Sequence, residues 1–398
     1  MAIGTRAITL MDTTFKRVFH PIGQGAFFTE QLISPQDNKI LFNVVYDCGS
    51  KTTGIGPKME NEIDNMFANN KNVDFLFISH FDDDHIKHVN YLRTQGYLAD
   101  AKVFIPLLFE EKFLFVTAFY LNYKNLIEDL SKNGIIVIKV KMEEGESSQH
   151  EYTFDDIPEE IESGSKLKFV KEKDIWYWVP FNIFYQERIN EFKGKLKDED
   201  ISFEELLNDC NYMLNRIKAL KRIYQSQTKD KGDGYGTAIN LNSLQMLSYP
   251  ASPDYCTDYV RITPCDKYFN DYYKWNRGYM KYKFQKKDKI YPGSCLYTGD
   301  TSSNSPFIWN TLMNKIDQYL KAHLVLFQIP HHGSKHSNNE RIVDEDRIYA
   351  AFTNFEPNYW QKIYDSNINL QFYLHQKPLI LVTNDDSFRF EECWNLHF

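Results

Sequence analysis

The stretch VDFLFISHFDDDHIKH, residues 73–88, decides the architecture that the sequence predicts. Its first half is a short apolar run, of the kind found in strands that are buried on both faces of a parallel sheet. Directly after this run, the chain places His80, Asp82, Asp84 and His85 within six positions. Carboxylates packed this closely repel one another and raise each other's pKa unless a cation lies among them. The stretch therefore predicts a metal site in the loop at the C-terminal end of a buried strand.

The segments before this stretch predict strands and one helix. Residues 14–50 contain three runs rich in apolar, β-branched and aromatic residues that end in Gly, Pro or Asn, as strands do. The following segment, 57–70, begins with Pro57 and has apolar residues at helical spacing. The order strand, helix, strand predicts a layered α/β core with polar residues collected at the strand ends.

A second strand-rich region follows in the C-terminal part of the chain. Its apolar runs are found at residues 236–249, 293–300, 324–334, 350–355 and 378–386. Two of these runs end in further candidate ligands, Asp300 in YTGD and the pair His331 and His332 in IPHHGS. An α/β fold presents its site at such strand ends, so we expect these residues to join the cluster at residues 80–85.

The sequence divides into three parts by pattern. Residues 1–100 and 236–398 are strand-rich, and residues 101–235 are predicted to form a mainly helical insertion that could dock a protein partner. The clearest helix of this insertion begins after Ser202, which with Glu205 forms a capping box. Within the C-terminal part, we expect a basic and aromatic insert over residues 251–291.

Composition and charge set the class of the protein. With 398 residues, 42% of them hydrophobic, the chain can bury a full core, and a net charge of −8 argues against nucleic acid covering its whole surface. The six cysteines form no CxxC pair, which favours reduced thiols over a zinc ribbon or a disulfide framework. No signal-type apolar segment opens the chain and no window is apolar enough to span a membrane. We therefore expect a cytoplasmic protein without membrane contact.

Three motifs in order, SHFDDDH, YTGD and PHHGS, resemble those of the metallo-β-lactamase-fold hydrolases. The closest likeness is to the soluble hydrolase domain of the competence protein ComEC and its stand-alone relatives. This resemblance implies an α/β fold, an αββα sandwich, in which residues 1–100 and 236–398 are the two halves of one domain. It also implies two divalent metal ions, Zn2+ or Mn2+, at one edge between the sheets. The implied ligands are His80, Asp82, Asp84, His85, Asp300 and His332.

The sequence departs from the family pattern at the first of the two ion positions. Asp82 stands where many members have a histidine, a substitution compatible with this subgroup. The middle histidine ligand has no counterpart, because His150 is the sole histidine between residues 88 and 323, and Asn242 stands nearest the expected place. A more oxygen-rich site shifts the expected metal from zinc towards manganese.

The resemblance also suggests roles beyond metal binding. We expect Asp84 to orient the attacking water as well as to hold an ion. We expect His331 or Lys335, with His336 as a further candidate, to steady the departing oxygen. For Asp47 in YDCGS the sequence leaves two interpretations open, a turn residue or a group that supports the site from outside.

The substrate is predicted from the family and from one segment. Residues 267–289 contain eight Lys or Arg and two acids, interleaved with aromatic residues, as a surface that stacks bases and contacts phosphates would. A hairpin with a solvated lysine edge has the same pattern. We expect a phosphodiesterase or nuclease that acts on nucleic acid or nucleotides. Two alternatives remain: a hydrolase of small esters, lactones or thioesters, and a catalytically impaired regulatory or binding subunit of a bacterial complex.

Overall fold

The computed structural model describes most of the chain, and all structural statements concern these residues. They are 12–67, 72–107, 120–142, 150–170, 173–183, 186–226, 243–263, 291–320, 324–334, 337–338, 342, 350–354, 379–386 and 389–397.

Within these ranges the chain forms two mixed β-sheets with helices. The strands are β1 (Asp12–Phe19), β2 (Gly25–Ile33), β3 (Ile40–Ser50), β4 (Phe75–Phe77), β5 (Lys102–Pro106), β6 (Ile136–Val140), β7 (Glu151–Thr153), β8 (Glu160–Ile161), β9 (Lys166–Lys168), β10 (Trp176–Phe181), β11 (Gln245–Pro250), β12 (Cys256–Thr263), β13 (Cys295–Tyr297), β14 (Leu326–Gln328), β15 (Ala350–Asn354), β16 (Leu379–Val382) and β17 (Phe390–His397). The helices are α1 (Gly56–Phe67), α2 (Asp83–Ile86), α3 (Val89–Thr94), α4 (Tyr120–Lys132), α5 (Gln186–Asp198), α6 (Phe203–Asn208), α7 (Cys210–Ser226) and α8 (Pro306–Leu320).

The strand order explains why polar residues from distant parts of the sequence meet. The first sheet has the order β12-β17-β1-β2-β3-β4-β5-β6-β8, and the second has the order β16-β15-β14-β13-β11-β10-β9-β7. In the first sheet β3, β4 and β5 are parallel neighbours, and in the second sheet β13, β14 and β15 are parallel. Parallel strands deliver the residues that follow them to one edge of their sheet.

The two sheets pack face to face around an aromatic core. Phe15 of the first sheet stacks on Trp176 of the second with ring centroids 3.6 Å apart, and Phe42 lies 5.2 Å from Trp178. All four side chains are buried. Large aromatic side chains bury much apolar area each, so this layer holds the sheets together.

Helices cover the outer face of each sheet. Helix α1 places Met59, Ile63 and Met66 against the first sheet, as their spacing predicts. Helix α8 packs Trp309 and Leu312 against the second sheet. The layers therefore run helix, sheet, sheet, helix, an α/β arrangement compatible with the predicted sandwich.

The described part of the predicted helical insertion, 101–235, contains strands as well as helices. Residues 102–181 contribute six strands, β5 to β10, divided between both sheets. The strands β7, β8 and β9 are only two or three residues long and polar, so they lack the alternation that marks a strand. In β10 all six residues are buried, but the interior Pro180 is untypical of a strand, so the sequence did not indicate one.

Between residues 186 and 226 the described chain is mainly helical. There α5, α6 and α7 enclose a small core of their own. The Ser202 hydroxyl caps α6 by accepting a hydrogen bond from the Glu205 amide at 3.2 Å, as the capping box predicts. The predicted continuous helix is interrupted at Asp209, whose backbone is extended.

The first part of the predicted insert over 251–291 forms a strand of the first sheet. Strand β12 within it pairs with β17 in antiparallel fashion. The rest of the basic and aromatic segment, residues 264–290, lies outside the described residues. Among the helices that the structure describes, none combines the length and the apolar character that crossing a bilayer requires.

Candidate metal centre

Four chain segments meet at one edge of the two sheets. The turn after β4 and the short helix α2 carry residues 79–85, and the loops after β13 and β14 carry Asp300 and the pair His331 and His332. These are the positions at which the sequence predicted the candidate ligands. The carboxyl ends of β4, β13 and β14 bring them together because each belongs to a parallel part of its sheet.

Two glycines permit the close approach of these segments. A Cβ atom on Gly49 of β3 would lie 2.7 Å from the backbone oxygen of Asp83. One on Gly299 would lie 2.8 Å from the Cβ of Ser79, and the φ of Gly299 is +56°. Since other residues carry a Cβ and disfavour positive φ, glycine is required at both places.

Asp300 lies at the centre of the site, and its two carboxylate oxygens face different histidines. Its Oδ1 is 3.1 Å from His85 Nε2 and 3.8 Å from His332 Nε2. Its Oδ2 is 3.7 Å from His80 Nε2 and 3.6 Å from His331 Nε2. The carboxylate therefore divides the site into an Oδ1 side and an Oδ2 side.

The two remaining carboxylates lie on opposite sides. On the Oδ1 side, Asp84 Oδ2 is 3.5 Å from His332 Nε2. On the Oδ2 side, Asp82 Oδ2 is 3.8 Å from His80 Nε2.

Two compact groups of side chains have metal-ligand character. His80, His85 and Asp300 form one group, and Asp84, His85 and His332 form the other, with ligand atoms within 4.8 Å of one another in each. Five of the six predicted ligands thus fall into these groups, and Asp82 lies beside them. Imidazole nitrogen and carboxylate oxygen are donors that suit Zn2+ and Mn2+.

Three buried imidazole nitrogens lie around the Asp300 carboxylate at the centre of the site. The Nε2 atoms of His80, His85 and His332 are buried and make no hydrogen bond of good geometry within the described part of the chain. A buried polar atom without a partner is costly, and in native structures it needs a bound group or a water to satisfy it. Convergent imidazoles beside carboxylates fit a divalent cation as that group.

A buried network behind His85 and His80 fixes the direction of these rings. Asp47 Oδ2 lies 2.8 Å from His85 Nδ1, and the same carboxylate accepts hydrogen bonds from the backbone amide and hydroxyl of Ser79, each at 2.7 Å. The Ser79 hydroxyl also lies 2.9 Å from His80 Nδ1. Because the Nδ1 atoms are occupied, the Nε2 atoms point into the site.

Asp47 is therefore a supporting residue rather than a turn residue. It lies inside β3, where Phe27 pairs with Cys48 and Phe28 with Tyr46, so that Asp47 is the extra residue of a β-bulge. Its φ is 55° and its side chain is fully buried. Bulges of this kind redirect a side chain next to a site.

Ser243 is a second supporting residue, which sequence analysis missed. Its hydroxyl accepts a hydrogen bond from the Asp300 amide at 3.1 Å and lies 3.4 Å from His80 Nδ1. The signal was present in the segment NLNSLQML, where an isolated serine precedes β11. Only the long-range pairing of β11 with β13 brings it to Asp300.

Lys51 lies at the rim of the site. Its Nζ is 2.7 Å from Asp84 Oδ1 and 3.9 Å from Asp82 Oδ2, and 43% of its side chain is exposed. It touches the outer oxygen of Asp84, whereas the inner oxygen faces His332. This lysine thus places a positive charge beside both carboxylates at the open side of the site.

Burial and neighbouring charges shift the pKa values of the site residues in both directions. Burial lowers the pKa of His80 to about 3, and burial raises the pKa of Asp82 to about 6. Although burial opposes it, the negative charge of Asp300 and Asp47 raises the pKa of His85 above its usual range. Without a cation, the protonated His85 is the group that balances the central carboxylate.

Beside the predicted ligands, the stretch 73–88 contains one more histidine, His88. His88 is buried at the start of α3, outside both compact groups, and burial lowers its pKa to about 4. Lys335, His336 and Asn242 lie outside the described residues. The suggested roles of Lys335 and Asn242 therefore stay predictions.

No known family model matches this chain, and no curated protein sequence matches it. The function must therefore be argued from the site.

Proposed function

We propose that this chain is a metal-dependent hydrolase of the metallo-β-lactamase fold that cleaves phosphodiester bonds in nucleic acid or nucleotides. The observation that carries this proposal is the position of Asp300, whose two oxygens each face two histidine Nε2 atoms within 3.1–3.8 Å. A carboxylate placed in this way suits a bridge between two divalent ions. When bound, such ions supply Lewis acidity and lower the pKa of water, which is the chemistry that hydrolysis requires.

The layer order supports the choice of fold. The site lies at one edge between two face-to-face sheets that helices cover on the outside. Its residues follow strands in the same order along the chain as in the metallo-β-lactamase-fold hydrolases, first the cluster of residues 80–85, then Asp300, then His332. The proposed ligands are His80, Asp82, Asp84, His85, Asp300 and His332.

The charge of the site supports an anionic substrate. Asp82, Asp84 and Asp300 bring three carboxylates, and Lys51 is the cation nearest to them among the described residues. Two divalent ions, of Zn2+ or Mn2+, would more than neutralise these carboxylates and leave a net positive site with Lys51 at its rim. Such a site attracts a phosphodiester more strongly than a neutral ester or lactone.

Asp84 has two tasks in this proposal. Its Oδ1 contacts Lys51 at 2.7 Å, and its Oδ2 faces His332. The lysine thereby fixes the carboxylate in one orientation, with one oxygen left for an ion and for orienting the attacking water. Although burial opposes it, the nearby imidazole of His332 and the charge of His85 hold the pKa of Asp84 well below its usual range, so it stays ionised.

The test compares two neighbouring aspartates of α2. Asp84 is buried in the site, whereas Asp83 is exposed. Plasmid DNA, single-stranded DNA and a generic phosphodiester are incubated with wild type, Asp84→Ala and Asp83→Ala in Mn2+ or Zn2+. We expect metal-dependent cleavage by wild type and Asp83→Ala, and a loss of at least about 100-fold in Asp84→Ala, because a carboxylate that holds and orients the reacting groups is removed.

The other outcomes separate the alternatives. Turnover of small esters or lactones without phosphodiester cleavage would replace the proposal by an ester hydrolase. A wild-type protein that binds the metal and cleaves neither class would favour the regulatory subunit. Equal cleavage by Asp84→Ala would refute the role assigned to Asp84.

A further inference from the structure

The Oδ2 side of Asp300 has fewer predicted ligands than the Oδ1 side. On the Oδ1 side, Asp84, His85 and His332 form a compact group. On the Oδ2 side, the sequence supplies His80 and Asp82, and it has no histidine at the expected middle place. His150, the one candidate between residues 88 and 323, is exposed at the start of β7, an edge strand of the second sheet. A further donor on this side must come from elsewhere in the chain.

His331 lies beside Asp300 Oδ2, next to the two compact groups but outside them. Its Nε2 is 3.6 Å from Asp300 Oδ2, and His80 Nε2 is 3.7 Å from the same oxygen. His332, the next residue, faces the other oxygen. Two consecutive histidines thus face the two different oxygens of the Asp300 carboxylate.

Both histidines of this turn have a left-handed backbone conformation. His331 has φ 50° and ψ 50°, and His332 has φ 52° and ψ 24°. Left-handed conformations are rare for residues other than glycine, and such strain is found mainly at functional sites. Here the conformation directs both imidazoles towards Asp300.

A buried serine orients the His331 ring. The Ser337 hydroxyl is fully buried and lies 2.7 Å from His331 Nδ1. The ring nitrogen away from the site therefore has a partner, and Nε2 faces Asp300. Imidazoles that bind a metal through one nitrogen commonly make a hydrogen bond through the other.

We infer that His331 completes a cation site on the Oδ2 side of Asp300, together with His80 and Asp82. The inference rests on the proposed metal centre and deepens it. It assigns His331 to metal binding instead of to steadying the departing oxygen. The site would take one divalent ion of the Zn2+ or Mn2+ class, through two imidazoles and two carboxylates.

The residues on the two sides of Asp300 differ in their exposure to solvent. The side chains of Asp82 and His331 are 20% and 27% exposed, whereas those of Asp84 and His332 are 5% and 9% exposed. The Oδ2 side is thus the more open one. A chelator should remove its ion first, and solvent or substrate can reach it.

The test measures how many manganese ions the full chain binds and whether two bound ions are magnetically coupled to each other. Wild type, His331→Gly, His331→Asp and the control His150→Gly are dialysed against Mn2+, and bound manganese is measured by mass spectrometry and electron paramagnetic resonance. Glycine removes the imidazole but accepts the left-handed backbone, so it preserves the turn. Aspartate also tolerates this conformation and returns a donor.

We expect about two ions per chain in wild type and His150→Gly, with the spectrum of a coupled pair. His331→Gly should retain about one ion and lose the coupling, and His331→Asp should restore part of the second ion. If His331→Gly keeps both ions at wild-type affinity, the inference about His331 is wrong while the proposed function stands. If wild type itself binds no ion, the proposed metal centre falls as well.

Discussion

Asp47 Oδ2 lies 2.8 Å from His85 Nδ1, and both side chains are fully buried. The contact depends on the bulge in β3, which turns Asp47 away from the strand partner and towards α2. The Asp47 carboxylate thereby holds one ring nitrogen of His85, so that the other faces Asp300. This is the arrangement by which a carboxylate outside the site orients a metal-binding imidazole.

We predict that Asp47→Asn weakens Mn2+ or Zn2+ binding by about 10- to 100-fold, because it removes the charge that orients and polarises His85. Asparagine tolerates the φ of 55°, so the bulge should persist. Equilibrium dialysis measures the effect. The control is Asp64→Asn, whose carboxylate accepts hydrogen bonds from Tyr91 and Tyr97 away from the site. Unchanged metal affinity in Asp47→Asn would mean that Asp47 serves only the strand.

The sequence predicted the parts of this site that depend on local pattern. The apolar runs that became β4, β13 and β14 were visible because each is short, apolar and bounded by turn residues. The polar residues after them were visible because His and Asp are rare directly behind a buried strand. These two signals coincide at all five members of the compact groups, but they mark His331 and Asp82 as well, and the choice of His332 over His331 came from the family resemblance.

Other parts depend on long-range pairing and were not predictable. The bulge at Asp47 exists only because β2 and β3 pair with a register shift. Ser243 reaches Asp300 only after β11 pairs with β13. The left-handed turn at His331 and His332 was not predictable either, because histidine adopts this conformation more readily than most residues but still only in a minority of cases.

A buried ionic network joins the two sheets. The Arg17 guanidinium of β1 contacts Glu30 of β2 at 2.7 Å and also contacts Glu392 of β17. From the second sheet, the Tyr297 hydroxyl and Ser248 hydroxyl lie 3.1 and 3.3 Å from it. Arg17 is completely buried, so its charge depends on these partners.

We predict that Arg17→Met lowers the free energy of unfolding by about 3–5 kcal/mol, because it leaves two buried carboxylates without their counter-charge. Urea unfolding measures this change. The control is Lys16→Met on the same strand, whose partly exposed pair with Glu391 at 3.3 Å should contribute less than about 1 kcal/mol. Similar losses in the two variants would contradict the importance of the network.

The buried His20 leads us to expect that the stability of the fold depends on pH. His20 is fully buried, with Nδ1 2.7 Å from Glu62 Oε2 and Nε2 2.9 Å from the Thr29 hydroxyl. Its ring stacks on Phe27 with centroids 4.1 Å apart. Burial lowers the pKa of His20 to about 4; the neighbouring Glu62 raises it, and the positive charges of Arg389 and Lys16 lower it.

The direction in which stability changes with pH follows from the lowered pKa of His20. Because the folded-state pKa of about 4 lies below the usual value of 6.5, the unfolded chain binds more protons between these pH values. Stability from neutral His20 is therefore fully present above pH 6.5 and is lost as pH falls towards 4, by roughly 3 kcal/mol in total. We predict that wild type loses about this much more than His20→Gln when urea unfolding is compared at pH 7 and pH 4. The exposed His150 serves as control, since His150→Gln should follow wild type. Parallel pH profiles for wild type and His20→Gln would show that His20 does not couple folding to protonation.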